Sequence, residues 1–261
     1  MTLAGAGSPV AAALDLTGRR ALVTGAGQGV GRAVAQQLAA LGADVAVNDY
    51  LADRAGSAAA QIRADGGTAT AWAFDVSDLA AVRAAVAAHG PFDILVNNAG
   101  NAGAAGWRGV VPFVETDPAD WAGTIGVNFY GVLHCTHAVL PGMIAAGWGR
   151  IVTVISDAGR VGEPTLAVYG AAKAAAAGLT RSVARENGRY GITANNVSLA
   201  TVVPPGADEP DRAEQRLKNY TIRRFGTPDD VSGLVAYLAG PAAGWITGQT
   251  YPVNGGYSYN Q

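Results

Sequence analysis

The sequence predicts an α/β fold: one doubly wound domain in which helices cover both faces of a parallel sheet. Short apolar β-like runs alternate with alanine-rich helical stretches along the 261 residues. The runs are apolar on both faces, as strands buried between two helical layers are. No proline-, glycine- or serine-rich linker and no repeat divides the chain. With 49% hydrophobic and 15% charged residues, the chain is long and apolar enough to bury a large core.

Seven strands and six helices are expected in alternation. The predicted strands are 21–23, 44–48, 69–74, 93–97, 150–155, 192–197 and 250–253. The predicted helices are 30–41, 53–65, 78–88, 119–146, 167–189 and 228–239. Residues 1–14 are expected to form a flexible tail and residues 15–261 a single domain.

Two long connections interrupt this regularity, 101–113 after the fourth strand and 201–226 after the sixth. Loops of that length in a compact domain are functional or disordered. Both follow the carboxyl ends of strands, where open α/β sheets bind their ligands. We therefore expect 201–226 to be a substrate loop that carries a short amphipathic lid helix.

Charge and cysteine content exclude several classes of function. A net charge of −2 gives no electrostatic reason to expect a nucleic-acid or membrane partner. Cys135 is the single cysteine, which excludes an internal disulfide and indicates either a reducing compartment or no dependence on the redox compartment. The three histidines lack metal-ligand spacing, so no metal is expected. The first residues lack the basic region of a signal peptide, and no apolar run approaches the ~20 residues of a membrane span. These features favour a cytoplasmic protein.

A glycine-rich turn, TGAGQGVG at 24–31, follows the first strand and opens a helix. Gly25 allows a tight turn, Gly29 lets the backbone approach a pyrophosphate, and Gly31 permits close packing of helix on strand. Gln28 and Val30 lie inside the same turn. A plain strand-to-helix turn is the alternative, but the position after the first strand favours a dinucleotide site.

Asp49 ends the second strand, twenty residues after Gly29. A carboxylate there can accept hydrogen bonds from the adenosine ribose and would repel a 2′-phosphate. Gln28 offers no positive charge to offset that repulsion. Both features favour NAD over NADP, although Asp49 could simply end a strand.

The third and fourth strands end in further candidate cofactor residues. Asp75 and Val76 could hold the adenine ring, although Asp75 could equally cap the next helix. In the NNAG motif, the asparagines, including Asn98, could brace neighbouring strands, or form only a turn. Ala99 and Gly100 leave room for a flat ligand against the backbone.

Tyr169 and Lys173 are four residues apart in a helical run, so they share one face. A positive charge ~5 Å from the phenol at an effective dielectric of ~20 is worth roughly 3 kcal/mol, or about two pKa units. That effect would bring the pKa of Tyr169 towards the range of an acid/base catalyst. Ser156, at the end of the fifth strand, could bond the same substrate oxygen, and Asn128 could bind a relay water. An amphipathic pair and a strand-end cap are the alternatives.

In order and spacing, these residues resemble the classical short-chain dehydrogenase/reductases over residues 16–258. The matching motifs are TGAGQGVG, Asp49, DV at 75–76, NNAG, Asn128, Ser156, YGAAK, RFGTPDD and ITGQTYPVNGGYS. The resemblance implies a seven-stranded Rossmann-type sheet, a nicotinamide cofactor, and a homotetramer or homodimer built on two long helices. It also implies that Tyr169 is the acid/base, that Lys173 lowers its pKa and holds the nicotinamide ribose, that Ser156 orients the substrate oxygen, and that Asn128 supports a proton relay.

The chain departs from the family pattern after the sixth strand. The family has Pro-Gly followed by a threonine near the carboxamide, whereas this chain has Leu199, Ala200 and Pro204 at the matching positions. The backbone N–H of Val202 is then expected to hold the carboxamide, with Thr201 as a shifted hydroxyl. The connection 101–113 is also longer than is usual. Its Trp107 and Arg108 could cover the pocket, and an exposed glycine-rich flap is the alternative.

The predicted function is hydride transfer between a secondary alcohol or ketone and NAD, by residues 15–261 acting as one dinucleotide-binding catalytic domain. A cyclic or β-hydroxyacyl thioester substrate is suggested by a weak local likeness. The alternatives are a 3-oxoacyl-thioester reductase, against which Asp49 argues, and a non-catalytic nucleotide sensor or scaffold. The stretch before Tyr169 is expected to wall the substrate pocket, with Arg160 or Glu163 at its rim.

Overall fold

The computed structural model describes residues 9–100, 111–204, 206 and 213–259. The strands are Arg20–Val23 (β1), Asp44–Asp49 (β2), Thr68–Ala73 (β3), Ile94–Asn97 (β4), Gly149–Ser156 (β5), Ile192–Leu199 (β6) and Thr250–Val253 (β7). They form one sheet of order β3-β2-β1-β4-β5-β6-β7, in which neighbouring strands are parallel. The seven-stranded, doubly wound sheet is therefore confirmed. The strand order reverses between β1 and β4, and this opens a crevice at their carboxyl ends.

The helices within the described residues mostly follow the prediction. They are Pro9–Leu14 (α1), Gly29–Ala40 (α2), Ala52–Ala64 (α3), Leu79–His89 (α4), Pro118–Ile125 (α5), Gly131–Ala146 (α6), Ala167–Asn187 (α7), Ala213–Leu217 (α8) and Pro228–Ala239 (α9). The last of these begins at a capping box in which Thr227 and Asp230 satisfy each other's backbone N–H groups.

Three helical regions differ from the prediction. The tail 1–14 was expected to be loose, but its described part, α1, is helical, as its PVAAAL sequence permits. The helix expected at 119–146 is α5 and α6 joined by a π-helical turn, Gly126–Tyr130. The expected lid helix is present as α8, only five residues long.

Alternation along the strands sorts the core into two layers. Ala21 and Val23 of β1 pack with apolar residues of α2, α3 and α9 on one face of the sheet. Leu22, between them, packs with residues of α4, α6 and α7 on the other face. The helices that cover this second face carry several of the polar residues singled out in the sequence.

One helical stretch, Pro118–Ala146, is long and apolar enough to cross a membrane by length and composition alone. It reaches a mean hydropathy of 1.2 over its most apolar window, so the expectation that no such segment exists does not hold by that measure. Buried core helices of soluble proteins pass the same test. In this stretch, Cys135, Val139 and Met143 lie in the core beneath the sheet. Among the described residues it is the one helical stretch that is long and apolar enough by this measure.

Candidate active site

The glycine turn has the geometry that its sequence predicts. Gly25 and Gly29 adopt φ values of 61° and 55°, in the left-handed region that glycine tolerates best. A Cβ at Gly31 would lie 2.3 Å from the carbonyl oxygen of Gly25, so the close packing requires glycine there. A Cβ at Gly29 would meet nothing within 4 Å. The first turn of α2 therefore borders open space into which its free N–H groups can point.

Asn98 holds this turn in place. Its Nδ2 donates to the carbonyl oxygens of Thr24 at 2.9 Å and of Gly25 at 3.1 Å. The hydroxyl of Thr24 in turn accepts from the backbone N–H groups of Asn98 and Ala99, each at 3.0 Å. Asn98 therefore links the end of β4 to the turn after β1, as predicted for the NNAG asparagines.

Asp49 lies against the glycine turn and is almost fully buried. Its carboxylate accepts from the backbone N–H of Gly27 at 3.2 Å and from that of Leu51 at 3.0 Å. Sequence reasoning missed Arg54, whose Cβ would lie 2.6 Å from a Cβ at Gly27. Arg54 lies in the first turn of α3, the helix that follows Asp49, and this position could have identified it from the sequence. The Asp49 carboxylate and the Cβ of the exposed Arg54 therefore both border the turn at this corner.

Asp75 and Val76 follow β3 and have different surroundings. Asp75 is exposed, and its Oδ1 accepts from the N–H and the hydroxyl of Ser77. The helix cap is Asp78, so the alternative that Asp75 caps α4 is wrong. Val76 is buried, and its carbonyl oxygen lies 3.0 Å from Nδ1 of His134 on α6. That contact ties the loop after β3 to the helix beneath it.

The π-helical turn brings Asn128 towards Lys173. Asn128 is fully buried, and its Nδ2 donates to the carbonyl oxygen of Thr124 at 2.9 Å. A Cβ at Gly100 would lie 3.0 Å from Oδ1 of Asn128 and 2.8 Å from Nζ of Lys173. Both polar groups therefore converge on Gly100, where any larger side chain would collide with them.

Ser156, Tyr169 and Lys173 meet at the carboxyl end of β5. A hydrogen bond joins Ser156 to Tyr169. The Nζ of Lys173 lies 5.8 Å from the centre of the Tyr169 ring and donates to the carbonyl oxygen of Val154 at 3.0 Å. Together with Asn128, the structure brings all four predicted catalytic residues together.

The direction of the Tyr169 pKa differs from the prediction. Burial raises the pKa of Tyr169, and the hydrogen bond from Ser156 only partly opposes that rise. Burial also lowers the pKa of Lys173 to about 8, because an ammonium is costly away from water. The prediction from the sequence included the attraction of the lysine charge but left out the desolvation of both groups. The expected lowering of the Tyr169 pKa is therefore wrong for the protein without a bound cofactor.

Val202 lies at the start of the connection 201–226, close to β6. Val202 forms an isolated parallel bridge with Gly226. In this bridge the N–H of Val203 donates to the carbonyl oxygen of Gly226, and the N–H of Gly226 donates to that of Thr201. The hydroxyl of Thr201 accepts from Arg216 of α8 at 2.7 Å, so it serves the loop and not an open pocket. The expected pocket residues Trp107 and Arg108 lie outside the described residues.

Arg160 and Glu163, expected at the pocket rim, are both engaged within the protein. Arg160 pairs with Asp157 at 2.8 Å, and Glu163 accepts a hydrogen bond from the hydroxyl of Tyr257. Within the described part of the chain, no group of three or more His, Cys, Asp or Glu side chains could hold a metal ion.

The chain is similar to characterised proteins over nearly its whole length. A family model described as enoyl-(acyl carrier protein) reductase matches residues 25–258. A 3-oxoacyl-[acyl-carrier-protein] reductase of Synechocystis is 38% identical over 92% of this chain and 97% of its own length. A 2-keto-3-deoxy-L-fuconate dehydrogenase of Xanthomonas campestris is 35% identical over 93% of this chain and 81% of its own.

A solved structure agrees with these relatives. The gluconate 5-dehydrogenase of Burkholderia cenocepacia, in complex with NADP and tartrate, superposes with a TM-score of 0.85 at 35% identity. That match covers 95% of this chain and 98% of the other. The chain belongs to the short-chain dehydrogenase/reductase family. The recognition made from the motifs is confirmed, and this family member is an oxidoreductase that acts on CH–OH or ketone groups.

For a short-chain dehydrogenase/reductase, the arrangement has a direct chemical meaning. The glycine turn and Asp49 lie on one side of the crevice between β1 and β4, and the tyrosine–lysine–serine group lies on the other. These polar side chains therefore lie beside the place where an α/β sheet of this topology binds its ligand.

Proposed function

We propose that this enzyme transfers a hydride between the carbon of a secondary alcohol or ketone and NAD, with Tyr169 as the acid/base. The observation that carries the proposal is the convergence of Tyr169, Ser156, Lys173 and Asn128 beside the glycine turn. A panel of secondary alcohols assayed for NADH formation tests it. Turnover of none of them, or of their ketones with NADH, would count against the proposal.

Each polar residue has one task in this scheme. Ser156 donates to the substrate oxygen, and Tyr169 takes the proton from an alcohol or gives it to the oxygen of a ketone. Lys173 favours the tyrosinate through its charge, and Asn128, which faces the same point above Gly100, completes a path for the proton. When bound, the nicotinamide supplies the hydride acceptor or donor and, in its oxidised form, a second positive charge that lowers the pKa of Tyr169.

The residues around the first turn of α2 fit a dinucleotide. The space over Gly29 is open, and the turn's N–H groups suit a pyrophosphate. We assign Gly25, Gly29 and the backbone of Gln28 and Val30 to that group. Asp75, Val76, Ala99 and Gly100 line the adenine and ribose side, and the N–H of Val202, which its bridge with Gly226 does not use, serves the carboxamide.

Asp49 supports NAD over NADP. Its buried carboxylate already accepts from two N–H groups, so it is held in place where a 2′-phosphate would approach. The Burkholderia relative binds NADP, and Arg54 offers a positive charge at the same corner, so the choice depends on which charge dominates.

Replacing Asp49 with alanine is expected to lower the preference for NAD over NADP at least about tenfold, because the repulsion of the 2′-phosphate disappears. The ratio of kcat/KM for the two cofactors measures it. Arg54→Ala is the matched variant and is expected to move the ratio the other way. A wild-type enzyme that prefers NADP would contradict the assignment.

The second candidate is a reductase of 3-oxoacyl thioesters, favoured by the 38% identity to the Synechocystis reductase. The two candidate functions predict different substrates with the higher kcat/KM: a small ketone with NADH for the first, and a 3-oxoacyl thioester with NADPH for the second. A 3-oxoacyl thioester reduced faster with NADPH than any small ketone with NADH would favour the second. A non-catalytic sensor is disfavoured, because the four polar side chains are kept and assembled.

We also propose that the enzyme is a cytoplasmic homotetramer or homodimer. An apolar groove of about 400 Å³ lies between α5 and α7, lined by Phe113, Trp121, Phe129 and Val168 among others. A second apolar feature, the fully exposed Trp245, lies just before the edge strand β7. An apolar groove and an exposed tryptophan on the surface suit contact with further copies of the chain. The mass in solution is expected to be four or two times the chain mass of 26.3 kDa, and a monomer would contradict the proposal.

A further inference from the structure

A buried carboxylate directly follows Ser156 and takes no part in the proposed chemistry. Asp157 is only 1% exposed, and four side chains donate hydrogen bonds to it. The donors are Ser198 at 2.5 Å, Arg160 at 2.8 Å, Asn254 at 2.7 Å and Ser258 at 2.7 Å. A buried charge is costly unless it is fully paired, so this cluster is a built feature of the fold.

The donors come from three separate parts of the chain. Ser198 lies near the end of β6, Arg160 lies in the turn that leads to α7, and the other two lie in the carboxyl-terminal segment 254–259. Asp157 also donates its backbone N–H to the carbonyl oxygen of Leu199 at 2.9 Å. One carboxylate therefore joins the ends of β5 and β6 to the segment 254–259.

The carboxyl-terminal segment is held against the substrate loop as well. The N–H of Ile222 donates to the carbonyl oxygen of Gly255 at 2.8 Å, and the hydroxyl of Thr221 donates to that of Gly256 at 3.3 Å. Tyr257 reaches across to Glu163. The segment 254–259, which carries two of the donors to Asp157, therefore contacts both the substrate loop and the turn that leads to α7.

The same corner sets the direction of the Ser156 hydroxyl. Its Oγ accepts from the backbone N–H of Ala158 at 3.2 Å, which leaves its hydrogen to be donated towards Tyr169. The position of that N–H depends on the course of the chain through residue 157. The four donors hold the pKa of the Asp157 carboxyl below its usual range despite burial, so the carboxylate keeps its charge at neutral pH.

We propose that Asp157 is a positioning residue that acts through Ser156, holding its hydroxyl on Tyr169 by joining β5, β6 and the carboxyl-terminal segment. The proposal rests on the proposed function, in which Ser156 and Tyr169 handle the substrate oxygen. Replacing the carboxylate by an amide places an N–H₂ group against side chains that are already donors, so the corner rearranges while its volume stays nearly the same.

A double-mutant cycle tests this positioning role. Asp157→Asn is expected to lower kcat about tenfold or more and to change the KM for the dinucleotide less than about twofold, because the glycine turn lies on other strands. In a Ser156→Ala background the same substitution is expected to lower kcat less than about twofold. An equal loss in both backgrounds would mean a general structural role and would overturn the proposal.

A second readout needs no turnover. Because the hydrogen bond from Ser156 lowers the pKa of Tyr169, Asp157→Asn is expected to raise that pKa. Ultraviolet difference titration against the corresponding Tyr169→Phe variants measures it. An unshifted titration would also overturn the proposal. Failure of the proposed function is distinct, since it appears as wild-type protein without turnover while the titration still reports on Asp157.

Two further variants serve as a control and as a substitute for Asp157→Asn. Asp93→Asn is the matched control, because Asp93 holds Arg19 and the N–H of Arg20 at the opposite end of the sheet. It is expected to leave kcat within about twofold of wild type. If Asp157→Asn does not fold, Ser258→Ala removes a single donor and is expected to give a smaller change in the same direction for both readouts. No change with Ser258→Ala would then count against the proposal.

Discussion

Tyr169→Phe is expected to lower kcat by about 10³-fold or more while dinucleotide binding stays unchanged. The substitution removes the hydroxyl proposed to exchange a proton with the substrate oxygen, and general acid–base catalysis is worth about 10²–10⁴-fold. The ring remains, so the packing around Lys173 is kept. Steady-state turnover, together with the fluorescence of bound NADH, measures the two effects separately.

The matched control for Tyr169 is Tyr190→Phe. Tyr190 lies just before β6 at the opposite end of the sheet, where Arg189 stacks on its ring. Loss of its hydroxyl is expected to leave kcat unchanged. An unchanged kcat in Tyr169→Phe would show that another group transfers the proton, and Ser156 would then be the first to examine.

Gly31→Ala is expected to abolish measurable dinucleotide binding and to lower the free energy of unfolding by about 1–3 kcal/mol. The new methyl group would lie 2.3 Å from the carbonyl oxygen of Gly25 and 2.4 Å from Nδ2 of Asn98. Both belong to the braced turn, and neither can move without breaking that brace. Chemical denaturation and titration with NADH measure the two effects.

The matched control for Gly31 is Gly56→Ala in α3, where a Cβ would meet nothing within 4 Å. Alanine is the better helix former there, so this variant is expected to be about 0.5–1 kcal/mol more stable. Gly31→Ala protein that binds NADH as tightly as the wild type would show that the turn does not hold the dinucleotide.

Much of the fold was predictable because its signals are local. The strands are apolar on both faces, and the starts of all seven were predicted to within one residue. The π-helical turn at Asn128 was not predicted, since Gly126–Tyr130 carries no break in its helical pattern. The helix over Pro9–Leu14 was also missed, because a short alanine-rich run near a chain end reads equally well as a tail.

The candidate site divides in the same way. Tyr169 and Lys173 were predicted together because helical spacing places residues four apart on one face. Arg54 was missed because its approach to Gly27 depends on how α3 packs beside the turn. The partners of Arg160 and Glu163, Asp157 and Tyr257, were not predicted, and the second of these contacts depends on how distant segments fold together.

The sequence by itself determined the sheet, the glycine turn and the identity of the polar residues, because each of these follows from local pattern and spacing. Only the tertiary structure decided the direction in which the pKa of Tyr169 moves, since burial is a property of packing and here it outweighs the hydrogen bond from Ser156. It also decided the surroundings of Asp157. Three of its four donors lie far along the chain, and only the folded sheet brings them to the carboxylate beside Ser156.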